Sequence, residues 1–141
     1  MADAPFIETV FMFGVWMVEK TNNRILGQQG EDIAVHYLES QGYLILERNF
    51  KYNRCEIDII TRQNDTLVFV EVKAGKSSRY GSPELRVDRK KEKQIATAAE
   101  GFLCQYAEDD FDCRFDVISV TWDYGQPQIE HIEEAFWLEE E

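Results

Sequence analysis

Cysteine is scarce in this chain of 141 residues: Cys55, Cys104 and Cys113 are odd in number and show neither Cys-x-x-Cys nor Cys/His zinc spacing. That points away from a disulfide framework and a zinc site, and the expectation is buried thiols in a reducing compartment. Long apolar runs are also lacking. Val10 to Val18 is an apolar stretch of nine residues, whereas a membrane-spanning helix needs about 20. Asp3 and Glu8 stand where a secretory signal would be basic, and no small-residue cleavage site follows, so the chain is expected to be cytoplasmic. Positive charge is in deficit, with 15 basic against 27 acidic residues and a net charge of -12. Over the whole chain this argues against a partner as anionic as nucleic acid.

That average hides an uneven distribution. Residues 108–141 hold 12 acids and a single base, Arg114, whereas Lys73 to Lys93 holds eight bases against three acids. An anion-binding face in the middle of the chain is therefore compatible with the overall charge. Hydrophobic residues make up 44% of the sequence, enough for one α/β domain with its own core.

Residues 1–20 have no helix caps and no clear period, and Met17 would serve as an in-frame start. They are read as an extension to the single domain over 21–141 with its acidic C-terminal tail. The preferred reading is an upstream start codon that is rarely or never used, and the other is a short segment docking on the domain. From Gly30 to Gln41 the residues Ile33, Ala34, Tyr37 and Leu38 recur at helical spacing, and Gly42 is a stop. Strands are expected at Tyr43–Leu46, Glu56–Thr61 and Thr66–Lys73, with a polar turn at Gln63–Asp65. Residues 74–83 read as a loop, and a helix follows between Leu85 and Tyr106 with Ile95, Ala98, Ala99, Phe102 and Tyr106 on its apolar stripe. A strand at Arg114–Thr121, a turn at Tyr124–Pro127 and a short edge strand at Gln128–Ile132 complete the order. Three strands in succession suggest a meander, and strand–helix–strand a parallel crossover, so a mixed sheet is expected.

Within that order, three carboxylates and a lysine stand out. Glu71 and Lys73 are two apart on one strand and leave the same face, while Asp58 shares a face with Glu56 and Ile60 on the strand before. A turn near Asn64 would pair those strands and bring Asp58, Glu71 and Lys73 to one end of the sheet. Two carboxylates with an open side suit Mg²⁺ or Mn²⁺, which prefer hard oxygen ligands and keep several waters. Such a cation activates water and polarises a phosphoryl oxygen, and a nearby ammonium can orient the water. Glu31, early in the first helix, is placed to assist. The competing reading is ordinary: carboxylates and lysines on strands often form solvated pairs worth a fraction of a kcal/mol. In its favour is nothing more than frequency, and against it stands Leu67 to Val72, apolar on both faces until Glu71.

The blocks GQQGEDIAVHYLESQGYLILERNFK (27–51), CEIDIITRQNDTLVFVEVKAG (55–75), Val87 to Ala99, RFDVISV (114–120) and HIEEAF (131–136) resemble the YraN family of bacterial predicted endonucleases. That family is similar to restriction-endonuclease-like enzymes and to archaeal Holliday junction resolvases, whose signature is an acid followed by (D/E)-x-K on the next strand. The resemblance implies an αβββαβ core with a central mixed sheet flanked by helices. It also implies a Mg²⁺- or Mn²⁺-dependent nuclease acting on DNA, duplex or junction. Under it, Asp58 and Glu71 are metal ligands, the Val72 backbone carbonyl is a further ligand, Lys73 is the catalytic lysine, and Glu31 is the assisting helix carboxylate. Lys91 falls on the family's second-helix lysine, and Lys76, Arg79, Lys90 and Lys91 are the expected phosphate contacts. A homodimer follows by analogy with the resolvases.

One position departs from the family pattern. Cys55 replaces the glycine that usually precedes the EID triplet, and since glycine permits a positive φ, an altered local turn or substrate approach is expected. The remaining chemistry-bearing residues have plainer readings. His36 is assigned to the helix surface, His131 to an ion pair with Glu130 or Glu134, and Asp116 either to the wall of the site or to a pair with Arg114. Trp122, Phe136 and Trp137 are read as packing. Two other functions remain alongside the nuclease: a catalytically silent nucleic-acid- or protein-binding module on the same fold, and an adaptor whose acidic tail mimics nucleic acid.

Overall fold

The computed structural model describes residues 24–75, 87–106 and 110–137; the expected N-terminal extension, Lys76 and Arg79, and most of the 74–83 loop lie outside them. Helix α1 covers residues 24–40. Strands β1 (Leu44–Tyr52), β2 (Cys55–Gln63) and β3 (Thr66–Gly75) follow, then helix α2 (Arg89–Tyr106) and strands β4 (Asp112–Asp123) and β5 (Gln126–Ile132). The five strands form one sheet in the order β1-β2-β3-β4-β5. Every neighbouring pair is antiparallel except β3 and β4, which run parallel. That exception follows from connectivity, since parallel neighbours need a crossover and α2 lies between them in the chain. The result is an α/β fold with a mixed sheet, as the sequence led us to expect. No helix among the described residues is long and apolar enough to cross a membrane.

Two apolar cores lie on the two sides of the sheet. Leu67 and Phe69 of β3 join Ile95, Ala98, Ala99 and Phe102 of α2, whereas Val68 and Val70 join Ala34 and Leu38 of α1. Alternate side chains of one strand thus feed opposite cores, which explains why this segment is apolar at successive positions. Leu67, Val68, Phe69 and Val70 are at most 1% exposed, and burying side chains of this size contributes about 1.5–3 kcal/mol each. Asp88 starts α2: its Oδ1 accepts from the Lys91 backbone N–H at 2.8 Å and its carbonyl from the Glu92 N–H at 2.9 Å. This side-chain cap fixes where the helix begins and sets Lys91 in its first turn.

The structure corrects several sequence expectations. β1 extends to Tyr52, well past Leu46, because this edge strand is mostly exposed and its polar residues conceal the strand pattern. Cys55 does not distort the turn: the left-handed residues are Asn53 (φ 48°) and Arg54 (φ 66°), a two-residue hairpin loop, and Cys55 pairs with Tyr52. Cys104 and Cys113 are exposed, not buried, and only Cys55 is partly covered. His131 pairs with neither Glu130 nor Glu134; its Nε2 lies 2.7 Å from Asp116 Oδ2 and its Nδ1 3.0 Å from the Tyr37 hydroxyl. Arg114 grips the same carboxylate through Nε and Nη2, both at 2.9 Å, and the Glu134 N–H donates to it at 3.1 Å. Asp116 is fully buried. Burial alone would push its carboxyl up, but the bonds from His131, Arg114 and the Glu134 N–H outweigh it and hold the carboxyl below its ordinary range. Trp122 and Phe136 pack as expected, whereas Trp137 is 69% exposed.

Candidate active site

The antiparallel ladder between β2 and β3 is regular from Gln63↔Thr66 to Ile59↔Val70. The next facing residues are Asp58 and Glu71, and here the Asp58 side chain replaces a ladder bond: its Oδ2 accepts from the Val72 N–H at 2.8 Å. The strands open at this point, and the opening has a visible cause one strand away. Asn49 of β1 has φ 52° and lies opposite Asp58, between the Arg48↔Ile59 and Phe50↔Ile57 pairs, while the register shift of β1 against β2 falls earlier, between Ile45 and Glu47. Side-chain alternation in β2 breaks at the same level, since Ile57 joins the α2-side core and Ile59 the α1-side core. A local bend of this kind re-aims side chains at the end of a strand pair.

Glu71 faces α2. Its Oε1 lies 3.8 Å from the Lys91 ammonium, and its Oε2 is buried with no hydrogen-bond partner among the described residues. Glu31 arrives from the other side of the sheet. Gly30 brings α1 directly onto the end of β3, for a Cβ added there would sit 2.5 Å from the Ala74 Cβ. With its nitrogen turned to the acceptors around it, the Asn49 amide donates to Glu31 Oε1 at 3.0 Å and to Glu56 Oε1 at 3.2 Å. Arg48 lies 4.0 Å from Glu31 and 2.7 Å from Asp32. An open cleft of about 1200 Å³ unites these groups, with Arg24 and Lys51 on its walls beside the acids.

The acids perturb one another. Burial pushes the Glu71 carboxyl from 4.5 up to about 7, the neighbouring Asp58 charge adds to this, and Lys91 and Lys73 oppose it. Asp58 is also raised by burial, against the Val72 N–H and the Lys91 charge. Glu31 is raised by burial and by Asp58, while the Asn49 bond and Arg48 pull it down. Carboxyls driven upward by burial and by each other gather where a positive charge is welcome. Among the described residues, no group of three or more His, Cys, Asp or Glu stands ready to hold a metal ion. A Mg²⁺-like cation asks for less: one or two carboxylates, with water filling the remaining positions. Asp58, Glu71 and the unpartnered Glu71 Oε2 fit that requirement.

Residues 30–120 match the model of the uncharacterised protein family UPF0102. The chain belongs to UPF0102. A UPF0102 protein of Geobacter metallireducens is 50% identical over 117 residues, 83% of this chain and 96% of its own length. One from Geotalea daltonii is 48% identical over 120 residues, 84% of this chain and 94% of its own length. Another, from Prosthecochloris aestuarii, is 42% identical over 120 residues, covering 81% and 94% respectively. The UPF0102 match contains every cleft acid named above, together with Lys73 and Lys91.

Of the residues singled out from the sequence, the structure gathers Glu31, Asp58, Glu71 and Val72 around the cleft. Lys73 lies on β3 opposite Ser119 of β4, and its charge is felt by Glu71. Lys91 reaches in from α2 to Glu71, while Lys90 is exposed on the same turn. Sequence reasoning missed Asn49, Arg48 and Glu56 as site residues. The one available signal was an asparagine among strand-forming neighbours, and the strand itself was not legible there.

Proposed function

We propose that this UPF0102 chain is a metal-dependent nuclease that hydrolyses DNA phosphodiester bonds. The observation that carries the reading is the opened end of the β2–β3 pair, where Asp58 faces Glu71 and a buried glutamate oxygen has no partner among the described residues. Its support is the acid/(D/E)-x-K arrangement of Asp58, Glu71 and Lys73 together with the resemblance to restriction-endonuclease-like enzymes and junction resolvases. Asp58 and Glu71 would hold Mg²⁺ or Mn²⁺, with the Val72 carbonyl and Glu31 as further donors. The bound cation would supply polarisation of the phosphoryl oxygen and an acidified water. Lys73 orients the attacking water and stabilises charge on the phosphorane. Glu31 lines the α1 side of the same cleft as the assisting helix carboxylate. Lys90 and Lys91 approach backbone phosphates without reading bases.

The test is cleavage of labelled duplex, single-stranded and four-way-junction DNA with Mn²⁺, Mg²⁺ or EDTA. Asp58→Ala and the shape-preserving Asp58→Asn are run beside wild type. Metal-dependent cleavage lost in both variants supports the nuclease, and the preferred substrate names its class. DNA binding without cleavage of any substrate would refute it in favour of a silent binding module. That second reading has one observation of its own: the Lys91–Glu71 pair already compensates one of the two carboxylates.

A further inference from the structure

Asn49 is the residue on which three separate oddities of this fold converge. Its φ of 52° lies in the left-handed region, in the middle of a strand. Such a conformation costs an L-residue about 1–2 kcal/mol, and asparagine tolerates it better than most. The β1–β2 register runs on unbroken across it, from Arg48↔Ile59 to Phe50↔Ile57, yet β2 loses its alternation at the facing residue, Asp58. Its amide donates to carboxylates from two different elements, Glu31 of α1 and Glu56 of β2. Strain of this kind persists where surrounding structure enforces it, and it concentrates at working sites.

We infer that Asn49 is a positioning residue for the cleft: its side-chain amide sets the spacing of Glu31 and Glu56, and its left-handed backbone turns Asp58 towards Glu71. This deepens the nuclease reading and rests on it. The chemistry requires a donor that stays neutral. Two carboxylates on one small amide share its two hydrogens, so each is oriented without being neutralised. A lysine there would cancel the negative charge that a divalent cation needs. An aspartate would add to the repulsion. Second-layer groups of this type are worth about 10–100-fold in metal affinity or activity.

The decisive variant is Asn49→Gly, which keeps the left-handed backbone accessible and deletes the amide. In wild type and variant, Mn²⁺ affinity is measured by calorimetry and hydrolysis of the best DNA substrate is resolved into kcat and KM. The expected result is Mn²⁺ binding weaker by about 10–100-fold, with kcat lowered, KM for DNA little changed and the metal-free melting temperature close to wild type. Unchanged Mn²⁺ affinity and kcat in Asn49→Gly would overturn the positioning role while leaving wild-type cleavage, and so the nuclease, intact. Wild type that neither binds Mn²⁺ nor cleaves would overturn both. A third measurement does not depend on a variant folding: in ¹⁵N spectra of the wild type, the Asn49 side-chain amide should shift saturably as Mg²⁺ is added. No shift at Mg²⁺ concentrations that support cleavage would refute the inference.

Discussion

Replacing Glu71 with glutamine should make the metal-free protein more stable, by an amount that grows from pH 4.5 upward and levels off above about pH 7. The carboxyl is 13% exposed and paired with Lys91, yet burial and Asp58 still push it from 4.5 to about 7. A group whose folded-state pKa lies above its unfolded value binds more protons in the folded state between those two values. Stability is therefore complete below pH 4.5 and declines as pH rises, flattening above about pH 7. At ~1.4 kcal/mol per pKa unit, the ionised Glu71 costs about 3 kcal/mol at pH 8. Glutamine has the shape of the protonated acid and cannot ionise. The difference between Glu71→Gln and wild type should thus rise from near zero at pH 4.5 to about 3 kcal/mol in the variant's favour at pH 8. Urea denaturation in EDTA across this range measures it, and subtracting the two curves removes titrations common to both. A variant no more stable than wild type at pH 8 would refute the electrostatic account of the cleft. Under the nuclease reading, millimolar Mg²⁺ narrows the gap by stabilising wild type alone.

Three further outcomes are expected. Asp116→Asn should lower the urea midpoint by the equivalent of about 3–5 kcal/mol, because it removes the buried anion on which Arg114 and His131 converge and leaves the half-buried guanidinium beside a neutral amide. With its carboxyl held below the ordinary range, wild type should lose this contribution only as pH falls below 3.8. Gly30→Ala should cost about 1–3 kcal/mol through the clash with Ala74 and weaken Mn²⁺ binding by tilting Glu31, whereas Gly101→Ala, whose methyl would meet the Tyr52 ring, should cost stability with Mn²⁺ affinity unchanged; equal Mn²⁺ affinity in both variants would contradict this. Lys91→Met should steepen the loss of stability between pH 5 and 8, since it removes a charge that restrains both Glu71 and Asp58, and should weaken DNA binding with a shallower salt dependence. Melting curves and titrations at several salt concentrations check both.

The sequence made the centre of the sheet plain and its margins obscure, for a physical reason. Leu67 to Val70 is buried on both faces, so hydrophobicity alone marks β3, and the two-residue turn at Asn64 and Asp65 then sets Asp58 against Glu71. Edge strand β1 carries little burial, and its second half offered no pattern to read. Asn49 was invisible for that reason. The partner of His131 was misjudged because nearby acids compete in a one-dimensional reading, whereas the hydrogen bonds it makes join residues 15 and 94 positions away. Cys55 illustrates the opposite error: an unusual residue drew suspicion, but the turn's demands fall on Asn53 and Arg54.

The Asp116 network also fixes an order of assembly. Tyr37 on α1 is joined through His131 on β5 to Asp116 on β4, so the helix that carries Glu31 is fastened by a strand synthesised more than 90 residues later. A nascent chain that has emerged only as far as β4 owns every acid of the cleft and the apolar core under α1, yet it lacks the polar latch from Tyr37 to His131. Contacts of such long sequence separation form late, after the entropy of closing the intervening chain has been met. The apolar core under α1 is in place once β4 has emerged, and the polar fastening of that helix is added last, from the C-terminal side.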